Sequence, residues 1–174
     1  MSMKEEIRIL DFGDAEAFKN IRIGSLVDDP LSWLSSLEEE KDLPPYAFSN
    51  KLKFAIAPPI FGYYGYFEDG KLQAYAQLSN SFWNKKKHII NLYDVCVSKE
   101  VRRKSVGTKL MKYIIDKAKK TPGIEQIHLW VTSTNKGAIT FYESLGFKMA
   151  ASTKNTVKEN DGNYQDEILY TLNL

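Results

Sequence analysis

The stretch Val95-Cys96-Val97-Ser98-Lys99-Glu100-Val101-Arg102-Arg103-Lys104-Ser105-Val106-Gly107-Thr108 decides how the chain is read. It leaves a β-favouring apolar run, crosses a short basic turn and enters an amphipathic helix. The first amides of a helix have no partner inside it, and with the helix dipole they form a site for an anion. Gly107 lets the backbone come close to a bulky phosphate. Thr108 offers a hydroxyl on the first turn, and Arg102, Arg103 and Lys104 add positive charge. A phosphate-bearing ligand at this helix start stands beside the plainer reading, a solvated basic turn. The segment carries neither the G-x-G-x-x-G of a dinucleotide fold nor the G-x-x-x-x-G-K-[ST] of a P-loop.

Upstream, Ile89 to Val97 is apolar on both faces, as a central strand would be. Ile60 to Phe67 and Leu72 to Leu78 flank Asp69-Gly70, a hairpin signal. Ile7 to Asp11 reads as a first strand, and Asp14 as the cap of a helix carrying Ala17, Ile21 and Leu26. Asp28-Asp29-Pro30 opens a second helix with a stripe of Trp33, Leu34 and Leu37, stopped by Pro44-Pro45. Residues 44–53 read as loop.

Downstream, Val106, Leu110, Met111, Ile114, Ile115 and Ala118 mark one helix face, ended by Pro122-Gly123. Ile124 to Thr132 alternates as a strand, and Asn135 caps a short helix closed by Gly146. A turn at Glu159 to Asn163 precedes the strand Glu167 to Leu172, with one or two strands expected after the last helix. The whole chain, 1–174, reads as a single mixed α/β domain, a size that buries a core without staples.

Composition narrows the classes. One cysteine, Cys96, excludes an internal disulfide framework, and two histidines, His88 and His128, argue against a metal site. Glu5 and Glu6 stand where a signal peptide needs an apolar run, and no stretch reaches the roughly 18 apolar residues of a membrane helix. The longest apolar stretch, Phe54 to Phe67, is broken by prolines and glycines. A soluble cytoplasmic protein is expected, with no metal and no membrane. Residues 1–84 hold 8 Lys/Arg against 13 Asp/Glu, and residues 85–174 hold 16 against 9. Such a split suits two ligands of opposite sign, though charge also varies by chance along any chain. Lys85, Lys86 and Lys87 read as a solvated turn, so no nucleic-acid partner is expected.

The turn resembles motif A of the GNAT superfamily, the Gcn5-related N-acetyltransferases, whose hallmark is [RQ]-x-x-G-x-[GA]. Here it reads Arg102-Arg103-Lys104-Ser105-Val106-Gly107, with Ser105 where the family has its first glycine. Serine keeps its amide, but a positive φ there would be strained. The segment from Val131 to Phe147 resembles motif B, V-x-x-x-N-x-x-A-x-x-F-Y-x-x-x-G-F, at every fixed position, including Asn135 and Tyr142.

The resemblance implies a GNAT fold: an α/β (α+β) domain with a central, twisted, mostly antiparallel mixed sheet flanked by helices and splayed between strands 4 and 5. It implies acetyl-CoA as acyl donor, with its pyrophosphate on the amides of Arg102, Arg103, Lys104, Ser105, Val106, Gly107 and Thr108. The pantetheine arm would pair with the backbone at Val95 and Val97 and lie near Asn135 and Tyr142. The reaction implied is direct transfer of acetyl to a primary amine of a small molecule, peptide or protein. A homodimer would be in keeping with the family.

A free alkylamine is mostly charged at neutral pH, so the reaction must remove a proton, through a side-chain base or a water chain. A backbone amide at Val95 or Val97 would meet the oxyanion. Tyr142 fits as the acid for the leaving thiolate, although beside Phe141 it also reads as a core residue. No base is assigned. Asn91 stands where the histone-modifying branch has a glutamate, and Asp94 lies on the same strand with its facing undecided. Glu38, Glu39 and Glu40 read as a solvated helix face. Cys96 reads as buried and inert rather than as a nucleophile, and Trp33, Trp83 and the aromatics of 61–67 as core before pocket. The alternative function is a catalytically silent acyl-CoA-binding regulatory module of the same fold.

Overall fold

The aromatic runs on either side of Asp69-Gly70 fold as the hairpin their sequence predicts. Strands β2 (Gly62–Glu68) and β3 (Lys71–Asn80) pair antiparallel, and Asp69 and Gly70 both take positive φ, 47° and 79°. That is the two-residue turn whose twist matches the strands. The computed structural model describes residues 4–55 and 60–174; the part of the apolar stretch at residues 56–59 lies outside them.

Seven strands form one sheet in the order β1-β2-β3-β4-β5-β7-β6. The others are β1 (Glu5–Ile9), β4 (Ile89–Val97), β5 (Gln126–Thr132), β6 (Lys148–Lys158) and β7 (Tyr164–Asn173). All neighbours are antiparallel except β4 and β5. Those two pair only from Ile89–Asn91 to Gln126–His128 and then part, while β5 stays paired with β7 along its length. The expected splay between strands 4 and 5 is present.

Each sheet face has its own core. On one, helix α4 (Val106–Lys119) buries all six residues of its predicted apolar face against Tyr64, Tyr66, Ala74 and Leu92. On the other, α1 (Ala15–Asp28) and α3 (Pro45–Ala55) bring Phe18, Phe48 and Leu52 onto Tyr63, Phe67 and Tyr75. Because β2 is covered on both faces, its aromatics are core, as the sequence favours.

Two readings are corrected. The second helix is not continuous: after α1 comes a 3-10 turn at Pro30–Ser32, an extended Trp33, and only the four-residue α2 (Leu37–Glu40), capped by Ser36. The segment read as loop at 44–53 is mostly α3, with Pro45 as its first residue, where the missing N–H costs nothing. Phe48 and Leu52 are fully buried one turn apart, so tertiary burial outweighs the proline signal. The tail holds two strands, within the one or two expected; β6 is exposed along most of its length and exists through its ladder with β7. Helix α5 (Lys136–Ser144) follows Asn135 as expected.

Candidate active site

The basic turn ends with free amides at the helix start, but not along its whole length: the Arg102 and Lys104 N–H groups donate to Lys99 O and Val101 O, each at 3.3 Å, and so are already engaged. The first bond of α4 runs from Lys109 N–H to Ser105 O at 2.9 Å, which leaves the amides of Val106, Gly107 and Thr108 without helical partners. Arg103 and Ser105 are both left-handed, at φ 63° and 62°, and Ser105 makes no side-chain cap. The strain foreseen for a serine at this point is therefore present. Gly107 serves packing: a Cβ there would lie 3.2 Å from Val97 Cγ2 and 3.4 Å from Phe141 Cζ.

The three cations of the turn differ. Arg102 is engaged within the fold, with Nε donating to Val97 O at 3.1 Å and Nη2 paired with Asp29 at 2.6 Å. Arg103 and Lys104 are exposed. Val97 borders a small hollow of about 200 Å³ with Arg102 and Asp28, whereas Val95 faces the main cleft.

That cleft, about 770 Å³, fills the splay. Leu92, Tyr93, Asp94 and Val95 all line it, although a regular strand sends alternate side chains to opposite faces. A bulge explains this. Tyr75 and Gln77 of β3 face Cys96 and Tyr93, so β4 has one residue too many, and Asp94 sits at φ 50°.

Motif B contributes the opposite wall. Asn135 caps α5, its Oδ1 accepting from Ala138 N–H at 3.0 Å and its Nδ2 donating to Ser32 Oγ at 2.9 Å. Tyr142 is buried in α5 yet lines the cleft. Desolvation pushes its phenol well above the usual value, so it holds its proton at neutral pH.

Sequence reasoning missed the polar floor of the cleft. Arg22 on α1 is buried and clasps Glu40 through Nε at 3.2 Å and Nη2 at 2.8 Å, while Ser35 Oγ meets Arg22 Nη2 at 2.6 Å. Lys51 reaches Glu40 at 3.1 Å, and the Trp33 ring lies 4.2 Å from the guanidinium carbon. Glu40 is thus no solvated helix residue. Burial alone would raise its carboxyl, but the hydrogen bonds from Arg22 and Ser35 and the charges of Arg22 and Lys51 hold it down to about 2. Arg22 Nη1 has no hydrogen bond, and Asp94 Oδ1 is 3.7 Å away. The other Asp94 oxygen accepts from Tyr63 Oη at 2.9 Å. No periodicity signals these contacts; the one hint was an aspartate inside a β-favouring run.

Glu39 and Glu167 also line the cleft, so its carboxylates outnumber Arg22 and Lys51. Trp83, read as core or pocket, is exposed on the β3–β4 connection against Phe82. Burial pushes the Cys96 thiol up to about 11, in keeping with an inert core residue. Among the described residues no group of three His, Cys, Asp or Glu could hold a metal ion, and no helix is long and apolar enough to cross a membrane.

Residues 27–147 match the family model for the acetyltransferase (GNAT) family. The chain is 33% identical over 81 residues to the [Ribosomal protein bS18]-alanine N-acetyltransferase of Escherichia coli, a match covering 47% of this chain and 53% of that protein. The chain thus spans about half the length of the curated relatives it matches. Among solved structures, a GNAT-family acetyltransferase from Streptococcus pneumoniae superposes with a TM-score of 0.82 at 18% identity, over 98% of this chain and 100% of that one. The Salmonella typhimurium protein yncA, solved with its cofactor acetyl-CoA, gives 0.77 at 20% identity, over 98% and 94%. At these identities the two structures show a shared fold.

Proposed function

Because the chain belongs to the acetyltransferase (GNAT) family, we propose that it is an acetyl-CoA-dependent N-acetyltransferase that moves acetyl directly to a primary amine. One arrangement carries the reading. Three features support it: the amides of Val106, Gly107 and Thr108 free of helical partners, the edge of β4 unpaired with β5 beyond Asn91, and Tyr142 in the lining of the cleft.

The residues present fit such a donor. Three helix-start amides suit a pyrophosphate, with Arg103 and Lys104 exposed beside them. The edge of β4 beyond Asn91 offers backbone groups to an amide-bearing arm at Val95 and at Val97, whose carbonyl also accepts from Arg102 Nε, and Asn135 stands at the cleft wall. When bound, acetyl-CoA supplies an activated acyl thioester. A backbone N–H of β4 meets the developing negative charge on the carbonyl oxygen. Tyr142, protonated at working pH, gives its proton to the departing sulfur.

The excess of carboxylates along the cleft favours a cationic acceptor. The curated relative named above acts on an alanine of a ribosomal protein, so peptide and small-molecule amines both belong in the test. Action in the cytoplasm is part of the same proposal.

Calorimetry with acetyl-CoA, then thiol release over a panel of spermidine, lysine and an alanine-terminated peptide, decides the matter. Binding together with amine-dependent release is expected. Binding without release from any amine would turn the reading to a silent acyl-CoA module, and absence of binding would remove both.

A further inference from the structure

We propose that Asp94 is the carboxylate that receives the acceptor's ammonium group and takes its proton, with Tyr63 and Arg22 as its positioning residues. The inference rests on the acetyltransferase reading and supplies the base which that reading lacks.

Three observations carry it. Asp94 occupies a backbone conformation that a non-glycine residue rarely adopts, φ 50°, in the middle of the central strand. Strain of that kind persists where the surrounding structure enforces it, and it clusters at functional sites. The consequence of the strain is specific: the bulge turns an aspartate into the cleft at the point where β4 leaves β5.

The carboxylate is then held from both sides while staying open. Tyr63 Oη donates to Oδ2 at 2.9 Å, and Arg22 Nη1 stands 3.7 Å from Oδ1, too far for a hydrogen bond. The side chain remains 33% exposed toward the cleft. Arg22 cannot swing closer, because Glu40 and Ser35 already fix its Nε and Nη2. The charged and titratable groups around Asp94 are thus Arg22 from α1, Tyr63 from β2 and Tyr75 from β3. A tight ion pair would draw Oδ1 toward the guanidinium; at this spacing Oδ1 keeps its acceptor sites for a ligand N–H.

The surroundings suit an alkylammonium. Tyr93 and Trp130 line the same cleft and are each nearly half exposed, offering ring faces to a cation. Tyr142 lines it as well, so acid and base belong to one cavity.

The protons balance as follows. The ammonium gives one proton to Asp94, and the nitrogen lone pair forms the bond to the thioester carbonyl carbon. The carbon–sulfur bond breaks with its electron pair going to sulfur, which takes the Tyr142 proton. The second nitrogen proton restores the phenol. Asp94 returns its proton to solvent.

The test uses Asp94→Asn, since asparagine tolerates the left-handed backbone and keeps the bulge. Thiol release is followed with ethylamine, glycine ethyl ester and trifluoroethylamine, three amines of falling basicity. A loss in kcat/KM of about 100-fold is expected for ethylamine and under about 10-fold for trifluoroethylamine, which needs little deprotonation. Acetyl-CoA affinity should stay within about threefold of the parent. Equal loss on all three amines, or none, overturns the proposal, because a merely structural aspartate ignores acceptor basicity. Tyr63→Phe should give a smaller loss with the same ordering. If none of these amines, nor spermidine, lysine or the alanine-terminated peptide, drives thiol release by the parent protein, the acetyltransferase reading fails separately. Asp94 is then judged by calorimetry with ethylamine: binding weakened about 10-fold in Asp94→Asn supports the ammonium site, and equal binding removes it.

Discussion

Arg22 grips the carboxylate of Glu40 eighteen residues away, and the two side chains are only 6% and 5% exposed. Removing one partner of a buried pair strands the other charge. Glu40→Ala should therefore cost about 3–5 kcal/mol in denaturant unfolding. The double variant Arg22→Met/Glu40→Leu should recover at least half of that loss, because apolar residues of similar size need no partner. If the single change costs nothing measurable, the pair does not hold the segment between α1 and α3.

The same pair sets an acid limit. Glu40 is depressed from 4.5 to about 2 in the folded chain. Its contribution is complete above the unfolded value, and it is lost as the pH falls from about 4.5 through about 2. Melting temperature should stay level for Glu40 above pH 5 and fall more steeply below that in the parent than in Glu40→Gln. Parallel acid limbs in the two proteins would remove this assignment.

Ser105 holds a left-handed φ of 62° without a compensating side-chain cap. The steric cost of that conformation is about 1–2 kcal/mol, against about 0.5–1 kcal/mol for the extra freedom of an unfolded glycine. Ser105→Gly should stabilise by about 0.5–1 kcal/mol and leave acetyl-CoA affinity unchanged or tighter. A destabilised glycine variant would mean the serine makes an interaction that offsets the strain.

Tyr142→Phe keeps the ring against Phe147 but removes the acid. Turnover should fall about 10- to 100-fold, with acetyl-CoA affinity within about threefold. Unchanged kcat would assign the leaving-group proton elsewhere and leave Tyr142 as a packing residue.

Cys96 is buried between α1 and β3, with its thiol pushed up to about 11. Iodoacetamide should label the native protein at least about 100-fold more slowly than the urea-unfolded chain, since only the thiolate reacts. Fast native labelling would reopen the covalent route.

Legibility in the sequence followed the range of the forces involved. The Asp69-Gly70 turn, the buried face of α4 and the cap at Asn135 depend on neighbours within a few residues, and each lies where the sequence puts it. The helix at Pro45–Ala55 had a signal, Phe48 and Leu52 one turn apart, that the paired prolines masked. Strand β6 had almost none, because its residues are exposed and only the ladder with β7 makes it a strand.

The sequence alone determined the sheet's central strand, the basic turn after it and the helix that leaves three amides free, since capping, backbone sterics and apolar spacing are local. It also set Asn135 as the cap of the next helix and Tyr142 within that helix. Only the tertiary structure decided that Asp94 faces the cleft, that Arg102 is committed to Asp29, and that Arg22 and Glu40 are buried together. Those outcomes depend on a one-residue excess between paired strands and on charges far apart along the chain, and no local pattern encodes either.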